Sequence, residues 1–127
     1  MATVKNLIKH IPILGSWARK CRQYLRQGAA FPGSNEYWEQ RYASGGNSGV
    51  GSYDQFAAFK AEVINAFVQS HAIRTVIEFG CGDGNQLSLA TYPFYTGYDV
   101  SQTAISKCRQ RYSADPTKAF KRADEYD

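Results

Sequence analysis

An α/β fold on a parallel sheet is what this 127-residue sequence predicts, and three observations predict it. A β-rich run, Thr75-Val76-Ile77-Glu78-Phe79, stops abruptly at a glycine. Glycines at 80, 82 and 84 then precede a segment, Asn85 to Ala90, that reads as helical up to the break at Tyr92-Pro93. A second strand pattern from Tyr95 to Val100 leads into another helical stripe and a third strand pattern, Ala119 to Ala123. The alternation is βαβαβ, which implies parallel strands joined by right-handed crossovers.

The elements follow from the N-terminus. Residues 1–30 carry Lys5, Lys9, Arg19, Lys20, Arg22 and Arg26 and no acid, so nine basic residues face 11 acids in the rest, a balance of −2. The net charge of +4 therefore belongs to an arm and not to the domain of residues 31–127. The arm has helical periodicity, with Val4, Leu7, Ile8 and Ile11 on one stripe and Leu14, Trp17, Ala18, Cys21 and Leu25 on another after the Pro12 break. A basic amphipathic helix of this kind can lie on an anionic membrane surface, or it can pack its apolar stripe on its own protein. Nucleic acid is disfavoured as a partner, because the cations are confined to the arm and no recognition motif follows. No apolar run approaches the ~20 residues that span a bilayer, and no signal-peptide pattern is present. Cys21, Cys81 and Cys108 are widely spaced with no Cys-x-x-Cys pair, which suggests neither a disulfide framework nor a zinc site and fits a reducing, cytoplasmic setting.

Turn residues from Gly28 to Gly33 mark a boundary, and a short aromatic helical segment, Asn35 to Tyr42, comes next. Four glycines between Ser44 and Ser52 suggest a mobile loop that closes over a ligand, or a plain linker. Ser52 and Gln55 have capping-box spacing ahead of a helix from about residue 54 to 70. Its stripe of Phe56, Phe59, Val63, Ile64, Phe67 and Val68 should be the buried face. In the last helix, Ser101 is a good N-cap, and Ala104, Ile105, Cys108 and Tyr112 lie on one side.

The chemistry is concentrated in the glycine loop. Glycines at these positions let the chain turn sharply after the strand and approach a ligand closely, with the next helix N-terminus offering N–H groups. A dinucleotide fingerprint has the spacing G-x-G-x-x-G, whereas Asn85 follows Gly84 here and the spacing is G-x-G-x-G. Pyrophosphate, and with it a nicotinamide-dependent oxidoreductase, is thereby disfavoured. Glu78, two residues before the first glycine, suits a ligand with an amino group better than a polyanion. Asp99, 15 residues after Gly84, can accept hydrogen bonds from both hydroxyls of an unmodified ribose.

Glu78-Phe79-Gly80-Cys81-Gly82-Asp83-Gly84 resembles the first motif of class I S-adenosylmethionine-dependent methyltransferases, and Tyr98-Asp99-Val100-Ser101 resembles their second. The Tyr37-Trp38-x-x-Arg41-Tyr42 segment is similar to the helix that precedes the first strand in many members and borders the cofactor. The resemblance implies a Rossmann-like sheet of seven strands ordered 3-2-1-4-5-7-6, of which this sequence supplies the first three. It also implies S-adenosyl-L-methionine as cofactor. Glu78 would sit near the methionine end, and Gly80, Cys81, Gly82 and Gly84 would form the floor with Asn85 beside them. Asp99 and Val100 would be at the ribose, Asp124 at the adenine, and Trp38 and Arg41 over the cofactor. The implied activity is methyl transfer to an acceptor the residues do not specify, with no catalytic residue to carry over. The rival reading is a catalytically incomplete cofactor-binding or interaction module, docked by the arm to a membrane or partner. His10 and His71 lie outside every motif, and Cys81 reads as a floor residue and not a nucleophile, since nothing basic adjoins it. With the fourth strand missing, the first strand's edge is expected to be open, to favour self-association and to leave the piece an incomplete catalyst.

Overall fold

The computed structural model describes residues 31–126. The basic arm, with His10, Cys21 and the membrane-surface reading, lies outside the described residues. From Ser34 the order is α1 (Ser34–Ala43), α2 (Asp54–Ser70), β1 (Thr75–Phe79), β2 (Phe94–Asp99), α3 (Gln102–Arg111) and β3 (Lys118–Arg122). Short 3-10 turns at Val50–Ser52, Gln86–Leu89 and Ala123–Glu125 complete it. The three strands form one parallel sheet in the order β1-β2-β3, with Glu78 opposite Gly97 and Asp99 opposite Arg122. The α/β class and parallel sheet expected from the sequence are thus present.

The core lies on one face of the sheet. Cys81, Leu87, Tyr95, Ile105, Cys108 and Phe120 are buried together, with Val76, Tyr92 and Tyr112 packed against them. β2 has a glycine in its interior for a steric reason: a Cβ at Gly97 would stand 2.8 Å from the Cβ of Cys81. Its absence lets the glycine loop sit directly on the sheet. Ser101 caps α3 as expected, its hydroxyl accepting from the Ala104 N–H at 3.1 Å, and Ala104, Ile105 and Cys108 are buried.

Three local expectations are corrected. The segment after the glycine loop is not an α-helix but a four-residue 3-10 turn, Gln86–Leu89. Only nine residues separate Gly84 from Phe94, and Pro93 leaves no room to continue. The loop therefore gains no macrodipole from a following helix. Ser52 does not cap α2, because it closes the Val50–Ser52 turn and Tyr53 takes the N-cap position without a side-chain bond. Finally, α2 buries Ala57, Ala61 and Val68 and leaves Phe56, Phe59, Val63, Ile64 and Phe67 exposed. The small side chains permit close approach to the 3-10 turn, where Gln86 Nε2 donates to Ala57 O and Asn65 Nδ2 donates to Leu89 O. The large stripe faces away from the described core.

Candidate functional site

The site gathers where β1 and β2 end. Gly80, Gly82 and Gly84 have φ of 81°, 59° and 74°, the left-handed region that L side chains resist. Each faces different surroundings. A Cβ at Gly80 would meet nothing within 4 Å, so that side of the loop is open. At Gly82 it would lie 2.2 Å from Ser48 Oγ and 2.9 Å from the Tyr42 hydroxyl, and at Gly84 2.9 Å from Tyr112 and 3.0 Å from Cys108 Sγ. The loop is held between its neighbours, and its one free flank is at Gly80.

Asp99 is buried and braces this loop. Its Oδ2 accepts from the Gly82 N–H and its Oδ1 from the Ser101 N–H, both at 2.9 Å. A carboxylate oxygen has two acceptor positions, so one remains on each. Glu78 lies on the core side of β1, where the Tyr95 hydroxyl donates to its Oε2 at 2.5 Å. Its Oε1 accepts from none of the described residues. Half-buried Asn85 donates from its side chain to Ser52 O at 2.7 Å, and Val100 is half-buried between Asp99 and Ser101. Asp124 stands apart, exposed in the Ala123–Glu125 turn and paired with Arg122 at 3.4 Å.

Trp38 and Arg41, on α1, are brought to the loop between residues 44 and 49. Trp38 stacks on Tyr42 with centroids 5.9 Å apart, and the Arg41 guanidinium lies 5.8 Å from the Trp38 ring centroid. Arg41 Nε donates to Asn47 O at 2.6 Å.

Four residues that sequence reasoning missed organise the site. Asp83 and Ser48 form a reciprocal clasp: Ser48 N–H donates to Asp83 Oδ2 at 3.1 Å, and Asp83 N–H donates to Ser48 Oγ at 3.0 Å. Tyr53 adds a hydroxyl donor to the same Oδ2 at 2.7 Å, and the Asn85 N–H donates to Oδ1. Burial acts to raise the Asp83 carboxyl, but the bonds from Tyr53, Asn85 and Ser48 outweigh it and hold it below its ordinary value. Burial, reinforced by the bond to Asp83, pushes the Tyr53 phenol up to about 12. Glu39 links α1 to the start of α3, its Oε2 accepting from Ser101 Oγ at 2.7 Å and from Thr103 N–H at 3.1 Å, its Oε1 from the Thr103 hydroxyl. Those hydroxyl bonds, Thr103 first and then Ser101, hold Glu39 down to about 2. The only advance signal was an acid inside the aromatic segment and one inside the glycine loop.

The 44–52 loop, expected to be mobile or a plain linker, is thus tied onto the glycine loop. A cleft of about 280 Å3 separates it from α3, lined by Asn47, Tyr53, Asp83, Lys107 and Arg111 among others. Lys107 Nζ donates to Tyr42 O at 3.0 Å and so caps the C-terminal end of α1.

Cys81 does not have the character of a nucleophile. The neighbouring Cys108 thiol, then burial, pushes its thiol far up from the ordinary value. His71 ends α2 away from the loop, its ring stacked on Phe67 at 4.1 Å.

No family model and no curated protein matches the sequence. Among solved structures, the chain is similar to one from work on the conversion of a disulfide bond into a thioacetal group during echinomycin biosynthesis. That similarity has a TM-score of 0.37 and 33% identity over 48% of this chain and 28% of the other. A second structure, assigned as a caffeoyl-CoA O-methyltransferase from Staphylococcus aureus, is similar with a TM-score of 0.48 and 12% identity. It is matched over 84% of this chain and 49% of its own. The chain therefore spans about half or less of the length of these solved structures.

Proposed function

We propose that this chain is the S-adenosylmethionine-binding part of a methyltransferase. The observation that carries the reading is the loop after β1: three left-handed glycines in G-x-G-x-G spacing, braced from below by Asp99 and open at Gly80. The donor set fits a cofactor with an amino group and an unmodified ribose. Glu78 Oε1 is available for an ammonium, and the second acceptor position on each Asp99 oxygen suits the ribose hydroxyls. Gly80, Cys81, Gly82, Gly84 and Asn85 would form the floor, Val100 would flank the ribose, and Trp38 and Arg41 would cover the methionine end. Asp124, in the turn after β3, would exchange its pairing with Arg122 for the adenine amine. When bound, the cofactor supplies an electrophilic methyl on a sulfonium for in-line displacement by the acceptor. The chain's own residues bind it, orient it and exclude water. The acceptor would have to approach from outside the described elements, among which no group is placed as a base.

Calorimetry with S-adenosylmethionine, its demethylated product and NAD tests this. The first two should bind and NAD should not; a preference for NAD would overturn the assignment. Asp99→Asn removes the charge that faces both the loop and the ribose, and it should weaken cofactor binding by about ten-fold or more, the equivalent of roughly 1.5–3 kcal/mol. Unchanged affinity in that variant would exclude Asp99 from the ribose.

A further inference from the structure

Tyr95 is 2% exposed, in a core otherwise made of Cys81, Leu87, Ile105, Cys108 and Phe120. Its ring is held by two aromatic neighbours, stacked on Tyr92 and tilted against Phe120, each with centroids 5.9 Å away. Phenylalanine would fill that space equally well, and a hydroxyl buried there needs a partner. Its partner is Glu78, whose Oε2 accepts the phenolic proton at 2.5 Å. The reach depends on Gly97. Glu78 lies opposite Gly97 in the β1-β2 register, and a Cβ at 97 would stand 2.9 Å from the Tyr95 ring. The ring thus takes the space of the one side chain that β2 lacks, and its hydroxyl arrives at the carboxylate on the neighbouring strand. Burial, then the Glu78 charge, push the phenol far up from its ordinary value, so it keeps its proton and remains a donor. Glu78 is half-buried, and among the described residues its charge is paired with no cation. A neutral phenol satisfies one oxygen and leaves the charge uncompensated, which calls for a cationic group at the other.

We propose that Tyr95 is a positioning residue, which pins Glu78 Oε2 so that Oε1 alone is presented, in a fixed direction, to the ammonium of the cofactor's methionine end. The inference rests on the methyltransferase reading and adds to it the residue that orders Glu78 before the ligand arrives. Ordering a long side chain at the moment of binding costs the equivalent of about two- to ten-fold in affinity, and the bond from Tyr95 places that cost in folding instead.

The test compares the native chain with Tyr95→Phe, Glu78→Gln and the double variant. Tyr95→Phe removes one oxygen and keeps the ring, and Glu78→Gln keeps the shape, so each should retain the native circular dichroism. Without ligand, urea unfolding should show the two substitutions coupled, the double variant losing less than the sum of the single losses. Additive losses there would overturn the pairing and the inference with it, whatever the chain binds. Calorimetry with the demethylated product, S-adenosylhomocysteine, should give about two- to ten-fold weaker binding for Tyr95→Phe and about ten-fold or more for Glu78→Gln. The double variant should bind no more weakly than Glu78→Gln. A loss from Tyr95→Phe that persists in the Glu78→Gln background would make the hydroxyl merely structural. Methylthioadenosine, which has the adenosine and the sulfur but no amino group, should bind to the native chain and to Tyr95→Phe alike; equal weakening of both ligands would likewise remove Tyr95 from this role. In either case the native chain still binds, and the methyltransferase reading stands. A native chain that binds neither ligand would instead overturn that reading, and the role of Tyr95 with it.

Discussion

Gly80 and Gly82 share a backbone conformation but not an environment, and the difference is measurable. Alanine at either takes on the left-handed strain of roughly 1–2 kcal/mol. At Gly80 nothing further is met, whereas at Gly82 Ser48 Oγ must swing away and release its bonds to the Asp83 N–H and the Tyr42 hydroxyl. Each of those bonds contributes about 0.5–1.5 kcal/mol. Gly82→Ala should therefore destabilise the chain by about 2 kcal/mol more than Gly80→Ala in urea unfolding. Equal losses would show that Ser48 does not rest on Gly82. The glycine spacing was legible in the sequence, because left-handed turns select their residue type locally. Ser48 was not, since its partner Asp83 is 35 positions away.

At the scale of elements, Glu39 joins α1 to the N-terminal end of α3 and so fixes where Trp38 and Arg41 stand relative to Asp99. Its carboxyl is depressed from 4.5 to about 2 in the folded chain. A depressed acid stabilises the fold above its ordinary value and loses that contribution as the pH falls through the folded one. Amide exchange at Thr103 should therefore stay protected at pH 5, loosen between pH 4.5 and 2, and be fast in Glu39→Ala at every pH in that range. Because Glu39 is half-exposed, the effect on global stability should be small. Protection of Thr103 that persists at pH 2 would remove Glu39 from the capping role. The three strands were readable to within one residue at each end, because β-rich runs bounded by turn residues are local signals. The 3-10 turn at Gln86–Leu89 was misread as a helix, since four residues carry too little periodicity to tell the two apart.

For the whole molecule, the arm's charge asymmetry leads to a separate proposal. Residues 1–30 hold six cations and no acid. We propose that they associate with anionic lipid surfaces. The full chain should co-sediment with acidic vesicles at low salt and be released as salt rises, while neutral vesicles leave it in solution. Deletion of residues 1–27 without any change in vesicle binding would return the arm to the role of a packing segment. Among the described residues no helix is long and apolar enough to cross a membrane.

The sequence by itself determined the α/β class, the parallel order of three strands, the glycine loop with its left-handed turns and the capped helix at Ser101. All of these rest on backbone preferences and periodicities within a few residues. Only the tertiary structure decided which side of α2 is buried, because Ala57 and Ala61 win the close contact while the larger Phe stripe matches helical spacing equally well. It also decided which acids hold the site together. Glu39 reaches Ser101 across 62 positions and Asp83 reaches Ser48 across 35, and a carboxylate's partner at that separation is chosen by packing and not by spacing.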